Sequence, residues 1–177
     1  MVIFEIQQLS PETYRQQTRR SSLIVIITFA VLAMGLATLT VALLGEPGSD
    51  GLRLNIAGVV AGLLLTVALV RGVYWRQPWM ASARYGWRLK RSLMRITNVM
   101  HHVTAGVAQQ DPTAMKLLRF YHLGLTQMHQ LDANTGSLSE LAGEIDRHHE
   151  AMRAQGLDPE QTRLEADWLD SVKRIVA

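Results

Sequence analysis

Residues 21–44 read SSLIVIITFAVLAMGLATLTVALL and residues 54–70 read LNIAGVVAGLLLTVALV, and neither run contains a charged side chain. About 20 apolar residues in a helix cross the hydrocarbon core of a bilayer, and lipid accepts only a backbone whose polar groups bond to one another. A short polar turn over residues 45–53 separates the two runs. We therefore predict a transmembrane helical hairpin with spans at about residues 22–44 and 54–75.

The hairpin divides the chain of 177 residues into three parts. We expect an N-terminal segment over residues 1–20, the hairpin over 21–75, and a domain over 76–177 that is long enough for a core of its own. Apolar residues in the last part recur every three or four positions, which is the period of a helix, and no β pattern competes. The predicted fold class is all-α, with the two-helix transmembrane hairpin followed by a bundle of about four helices.

Capping signals set the predicted helix boundaries, because Ser or Asp before Pro favours a helix start and Gly favours a helix end. Ser10-Pro11 is the first such start. The predicted helices after the hairpin run from Pro78 to about Gln110, from Thr113 to about Asp132 behind the cap Asp111-Pro112, from the capping box Ser137-x-x-Glu140 to Gly156, and from Asp158-Pro159 onward with Leu164 and Trp168 facing inward.

The arginines that flank the hairpin predict its orientation. Arg15, Arg19 and Arg20 precede the first span, whereas the turn contains Arg53 together with two acids. Seven basic residues follow within residues 71–95. Because Lys and Arg are retained on the cytoplasmic side, both termini are expected in the cytoplasm and the turn outside. The first apolar run is longer than that of a cleavable signal peptide, so it is expected to remain as an anchor.

The basic residues after the second span form a block without acids. Such a block beside a span favours contact with anionic lipid headgroups, and Trp rings prefer the same depth. The expected headgroup contacts are Arg71, Arg76, Arg84, Arg88, Arg91, Arg95, Trp75 and Trp79. A solvated face that serves topology alone is the alternative. Basic residues are not spread over a recognition element, which argues against nucleic acid as a partner.

Small residues in the spans predict close helix packing. Gly58 and Gly62 form a small-xxx-small pattern, and Gly35 with nearby alanines offers a complement in the first span. In lipid such residues let two backbones approach closely. The pattern fits packing within the hairpin, or contact with a partner span or a second copy. Neither span contains Asp, Glu, His or Lys, so an ion or proton pathway is not expected.

Positive signals for catalysis are missing from the sequence. There is no cysteine, which excludes thiolate catalysis, disulfides and Cys-type metal sites. A phosphate-binding Gly loop, a dinucleotide fingerprint, a nucleophile elbow and a His-Glu-x-x-His pair are all absent. We expect a protein that is not an enzyme, with no cofactor and no evident small-molecule substrate.

Histidines that flank Asp111-Pro112 give the one alternative function that involves a bound metal or haem. If the two helices that meet there are antiparallel, His101 or His102 falls level with His122. Imidazoles on facing helices can hold haem or a transition metal, whereas the alternative is a structural or surface role. Asp146 and His149 form a single acid-x-x-His motif, and a di-iron bundle needs two such motifs.

Three segments resemble a family of bacterial two-span membrane proteins that is known as a domain of unknown function. These are Ser10-Pro11-Glu12-Thr13-Tyr14-Arg15, Leu89–Arg95 and Lys116–Gly124. The resemblance implies a bacterial inner membrane and implies nothing about activity. Together with the missing catalytic signals, it favours a non-enzymatic accessory or scaffold protein whose cytoplasmic domain contacts a membrane protein complex or a second copy of itself. An anionic-lipid-binding surface is the weaker alternative.

Overall fold

The computed structural model describes residues 1–45, 51–134 and 136–175, with backbone alone for residues 137–140. The chain forms two compact units. The hairpin unit comprises residues 16–84, and the helical unit comprises residues 1–15 together with residues 85–177. The fold class is all-α, as predicted. The predicted cytoplasmic placement of the flanking parts stays a prediction.

The hairpin unit is built from two long helices. Helix α1, Pro11–Leu44, begins at its predicted Pro and continues into the apolar run without interruption. Helix α2, Leu52–Gly72, is followed by 3₁₀ turns at Tyr74–Arg76 and Pro78–Met80. Both helices are long and apolar enough to cross a membrane. The predicted turn ends two residues sooner than expected because Leu52 and Arg53 already belong to α2, and residues 46–50 of that turn lie outside the described residues.

Glycines bring α1 and α2 together within the hairpin unit. A Cβ atom added at Gly58 would collide with the backbone of Ala37, and one added at Gly62 would lie 2.6 Å from the Cα of Ala33. Gly58 and Gly62 therefore mark the close approach of the two helices, which is the first of the two uses considered for the pattern. Gly35 differs from them, because a Cβ added there meets nothing within 4 Å.

The helical unit contains the rest of the helices. They are α3 (Ala81–Thr97), α4 (Met100–Ala108), α5 (Pro112–Leu131), α6 (Gly136–Ala154) and α7 (Ala166–Val172). Of α3, only residues 85–97 belong to this unit. Asp111 caps α5 as predicted, since its Oδ1 accepts the Ala114 N–H at 2.8 Å. Gly156, with φ of 70°, follows α6 in the left-handed conformation that a glycine after a helix end favours. The side chains of the predicted capping box, Ser137 and Glu140, lie outside the described residues.

The single helix predicted from Pro78 to Gln110 is wrong. The chain interrupts it at Val99, whose φ of −117° and ψ of 15° depart from helical values, and α4 begins afterwards. The Val99 N–H bonds the carbonyl oxygen of Ile96, three residues earlier, at 3.0 Å. Residues 96–99 read Ile-Thr-Asn-Val, four residue types of low helix propensity in succession, so a break at this point costs little.

A two-stranded antiparallel sheet, which the sequence analysis did not anticipate, replaces the start of the predicted last helix. Strand β1, Val2–Glu5, pairs with strand β2, Arg163–Glu165. The Asp158 carboxylate accepts the Glu160 N–H at 2.9 Å, which closes a turn instead of capping a helix. The Pro159 carbonyl oxygen accepts from Nε of the buried Arg119 at 2.8 Å, so a tertiary contact holds this loop.

The core of the helical unit surrounds α5, which is the most buried helix, as predicted. Phe120 and Leu117 on α5 are fully buried, and so is Leu164 on β2. The N-terminal segment closes this core, because the Phe4 ring lies 5.4 Å from the Tyr85 ring. Other members of the core, from α3, α4, α5 and α7, are Leu89, Ile96, Val103, Leu131 and Val172.

Candidate functional site

The most distinctive surface of the helical unit lies on α3 and the residue after it. We call it the α3 groove, a depression of about 430 Å³ lined by Trp87, Lys90, Arg91, Met94, Arg95 and Asn98. These residues recur at helical spacing on the face opposite the buried residues Leu89 and Leu93, so the amphipathic pattern of α3 creates the groove. Large apolar side chains are exposed in it, with Trp87 49% and Met94 65% accessible.

Positive charge in the α3 groove is only partly neutralised by the chain itself. Lys90 pairs with Asp132, with 3.0 Å between Nζ and Oδ2. Arg91 lies over the Trp87 ring at 5.1 Å from its centroid, a cation–π contact that leaves the guanidinium charge in place. In the part of the chain that the structure describes, no carboxylate lies within ion-pair distance of Arg91 or Arg95. The groove therefore suits a ligand that combines negative charge with apolar surface.

Arg88 lies beside the α3 groove and has a structural role of its own. Its guanidinium lies 5.8 Å from the centroid of the Phe4 ring and donates to the Ile3 carbonyl oxygen at 3.4 Å. The arginine thereby contacts the N-terminal strand. A smaller depression of about 290 Å³ connects Arg88 and Ile3 with the groove residues Trp87, Arg91 and Arg95.

The other predicted headgroup contacts lie in the hairpin unit. Arg71 is exposed in the last turn of α2, where a cation interacts favourably with the negative end of the helix dipole. Arg84 donates from Nη1 to the Trp75 carbonyl oxygen at 2.6 Å. The Trp79 ring packs edge-on against Tyr74 at 5.3 Å. Arg76 is exposed at the end of the first 3₁₀ turn. Lipid contact by these residues stays a prediction.

A buried polar cluster on α5 and α6 is the second candidate site. His122 is 2% exposed, and its ring centroid lies 5.4 Å from that of His148. Nε2 of His148 donates to the Met115 carbonyl oxygen at 3.0 Å. Nδ1 of His122 finds no hydrogen-bond partner among the described residues, and Nε2 lies 3.7 Å from Glu144 Oε1, which is too long for a hydrogen bond.

Burial controls the protonation of this cluster. Removal from water, and to a smaller extent the neighbouring His148, lower the pKa of His122 to about 4, although Glu144 opposes the change. Burial also lowers the pKa of His148 and that of Arg119. Because a pKa of about 4 leaves the His122 imidazole neutral at pH 7, its approach to Glu144 is not an ion pair there. In this state the ring contacts His148 as a neutral group.

His101 or His102 was predicted to lie level with His122, but the contacts of these residues are with other groups. His102 donates from Nδ1 to the Ile175 carbonyl oxygen at 2.9 Å, and its ring lies 3.9 Å from that of His101. His122 instead contacts His148 of α6. Among the residues that the structure describes, no group of three or more His, Cys, Asp or Glu could hold a metal ion. Haem or metal binding stays a prediction.

Sequence reasoning missed several residues of both clusters. Met94 and Asn98 extend the arginine stripe at intervals of three and four residues, so the helical period of α3 could have indicated them. The neighbours of His122 carried no such signal. Glu144 and His148 are brought to it by the packing of α6 on α5, across more than 20 residues of sequence.

Comparison with known proteins identifies a family. The family model described as "Protein of unknown function (DUF3087)" matches residues 4–169, which is most of the chain. No curated protein and no solved structure matched.

Proposed function

We propose that the chain, which belongs to this family of proteins of unknown function, is a non-enzymatic membrane scaffold whose helical unit binds a protein partner. The two apolar helices would anchor it in the bacterial inner membrane with both termini in the cytoplasm. Their length and composition support the anchor, and the arginine distribution around the hairpin supports the orientation.

The α3 groove is the observation that carries this proposal. The few residues that dominate the binding energy of protein interfaces are enriched in Trp and Arg, and Met is enriched in interfaces as well. Trp87, Arg91 and Met94 combine these three residue types on one helix face. A helix presents such residues in a fixed geometry, which lowers the entropy lost when a partner binds. The unneutralised arginines define the partner chemistry as acidic.

Contact with anionic lipid is the second candidate function, and the same observation favours it. Arg91 and Arg95 without carboxylate partners would bind phosphate groups as well as they bind carboxylates. The two candidates differ in the role of Met94, because an acidic protein segment with apolar side chains would cover it, whereas a headgroup would not.

Photo-crosslinking from the groove tests the proposed function. A photoreactive amino acid in place of Met94 should give a stoichiometric protein adduct in intact membranes, and one in place of exposed Arg153 on α6 should not. The variant Arg91→Glu with Arg95→Glu should abolish the adduct. The matched variant Arg147→Glu with Arg153→Glu reverses two exposed arginines on α6 and should preserve it.

Two results would count against a protein partner. The first is the absence of any protein adduct from position 94. The second is retention of anionic lipid in native mass spectrometry that depends on Arg91 and Arg95 while no protein copurifies, which would favour the lipid function instead.

A further inference from the structure

An acidic cleft lies next to the basic α3 groove in the helical unit. We call it the acidic edge, a depression of about 290 Å³ whose carboxylates are Glu5, Asp158, Glu160 and Glu165 and whose apolar wall is Trp168. Glu5 pairs with Arg163, with 2.9 Å between Oε1 and Nε. Within the described ranges, the other three carboxylates have no cation within ion-pair distance.

Strand β1 separates the acidic edge from the basic residues of α3. Ile3 borders the depression that contains Arg88, Arg91 and Arg95, and Glu5 borders the acidic edge. Two residues that are two positions apart in a strand lie about 7 Å from one another. Ile3 is partly buried against the core and Phe4 is buried in it, whereas Glu5 is exposed. Positive and negative surfaces are therefore neighbours on one compact unit.

We propose that the protein partner is a second copy of this chain, bound through a twofold-symmetric contact of the α3 groove with the acidic edge. A surface with adjacent basic and acidic halves is self-complementary, because a twofold rotation places the basic half of each copy on the acidic half of the other. Arg91 and Arg95 thereby face Glu160 and Glu165 of the second copy, and each contact occurs twice. This inference rests on the proposed scaffold function and names its partner.

Apolar surface complements the charges in this contact. The groove exposes Trp87 and Met94, and the acidic edge contains the half-buried Trp168. Burial of such anchors supplies affinity, whereas the charge pattern selects the partner and the register. A dimer held this way weakens with salt, because the screening length falls from about 10 Å at 0.1 M to about 3 Å at 1 M.

Charge reversal on the full-length protein in neutral detergent tests the dimer, with its mass measured by native mass spectrometry and light scattering. The basic-reversed variant is Arg91→Glu with Arg95→Glu, and the acidic-reversed variant is Glu160→Lys with Glu165→Lys. Each should raise the dimer dissociation constant by about tenfold or more, since each places like charges opposite one another. The variant Arg147→Glu with Arg153→Glu makes the same change of charge on α6 and should dimerise as the wild type does.

Mixing the two reversed variants gives the decisive result. In a heterodimer both contacts again join opposite charges, so the mixture should form dimers that neither variant forms alone. If circular dichroism shows that the acidic-reversed variant is unfolded, Glu165→Lys replaces it in both measurements. A dimer that neither variant weakens, or a mixture that stays monomeric, would overturn the proposal.

The wild-type result separates this proposal from the proposed function. A wild-type monomer at all concentrations and salts, together with a groove-dependent adduct to another protein at position 94, would overturn the dimer and leave the scaffold function in place. A monomer without any such adduct would overturn both.

Discussion

Acidification from pH 7 to pH 5 will destabilise the helical unit, mainly through His122. Burial lowers the pKa of this imidazole from 6.5 to about 4. At a pH between these two values, the unfolded chain therefore binds a proton that the folded chain does not bind. The free energy of unfolding decreases as the pH falls through this range. The stability is complete above pH 6.5 and is lost progressively as the pH falls towards 4.

The size of the effect follows from the pKa difference. One pKa unit corresponds to about 1.4 kcal/mol, so the difference between 6.5 and about 4 amounts to roughly 3 kcal/mol when the loss is complete. Between pH 7 and pH 5 the same relation gives about 2 kcal/mol. Burial lowers the pKa of His148 as well, which adds to the loss in the same direction.

Amide hydrogen exchange of the full-length protein in mild detergent measures this loss. After correction for intrinsic exchange rates, peptides from α5 should show an opening free energy about 2 kcal/mol smaller at pH 5 than at pH 7. The variant His122→Leu should remove most of that pH dependence, because no proton can bind at this position. His129→Leu on the same helix serves as the matched control and should keep the dependence of the wild type.

Two observations would refute the reasoning. One is an opening free energy that does not change between pH 7 and pH 5 in the wild type. The other is a decrease in His122→Leu as large as in the wild type, which would assign the effect to other groups.

Three further substitutions test the packing. Gly62→Leu should destabilise the hairpin by about 1–3 kcal/mol through its clash with Ala33, whereas Gly35→Leu should not. Equal melting temperatures of these two variants in detergent would contradict the close approach of α1 and α2 at Gly62. Phe4→Ala should lower the free energy of unfolding, measured with denaturant, by about 3–5 kcal/mol because it empties a core position. The control Val2→Ala changes an exposed residue and should lower it by less than about 0.5 kcal/mol. Similar losses in the two variants would show that the N-terminal segment is not part of the core. Asp111→Ala should cost about 1 kcal/mol by removing the cap of α5, and Asp111→Asn should restore most of it; a loss that Asn does not restore would exclude the cap as the cause.

Tertiary contacts explain why the predicted start of the last helix was wrong. Asp158-Pro159 has the composition of a helix start, yet Arg119 of α5 binds the Pro159 carbonyl oxygen and the chain continues into β2. The strand partner of β2 is the N-terminal segment, more than 150 residues away in sequence. A local pattern cannot indicate such a pairing, because a strand of three or four residues is stabilised by its partner and by the core beneath it.

The candidate sites divide in the same way. The helical period alone places Arg88, Arg91 and Arg95 on one side of α3, and the structure adds the depression between them and the neighbouring acidic edge. For the histidines, the helical period was not enough to predict which side chains meet. Helix–helix packing determines which faces meet, and the partner of His122 is His148 of α6.

The sequence by itself determined the hairpin, the helical class, the start of α5 and the end of α6, because apolar run length, capping and glycine conformation act within a few residues. Only the tertiary structure decided the two-stranded sheet and the neighbours of each buried polar group. These depend on free energy shared between segments far apart in the chain, and such energy exists only after the core has formed.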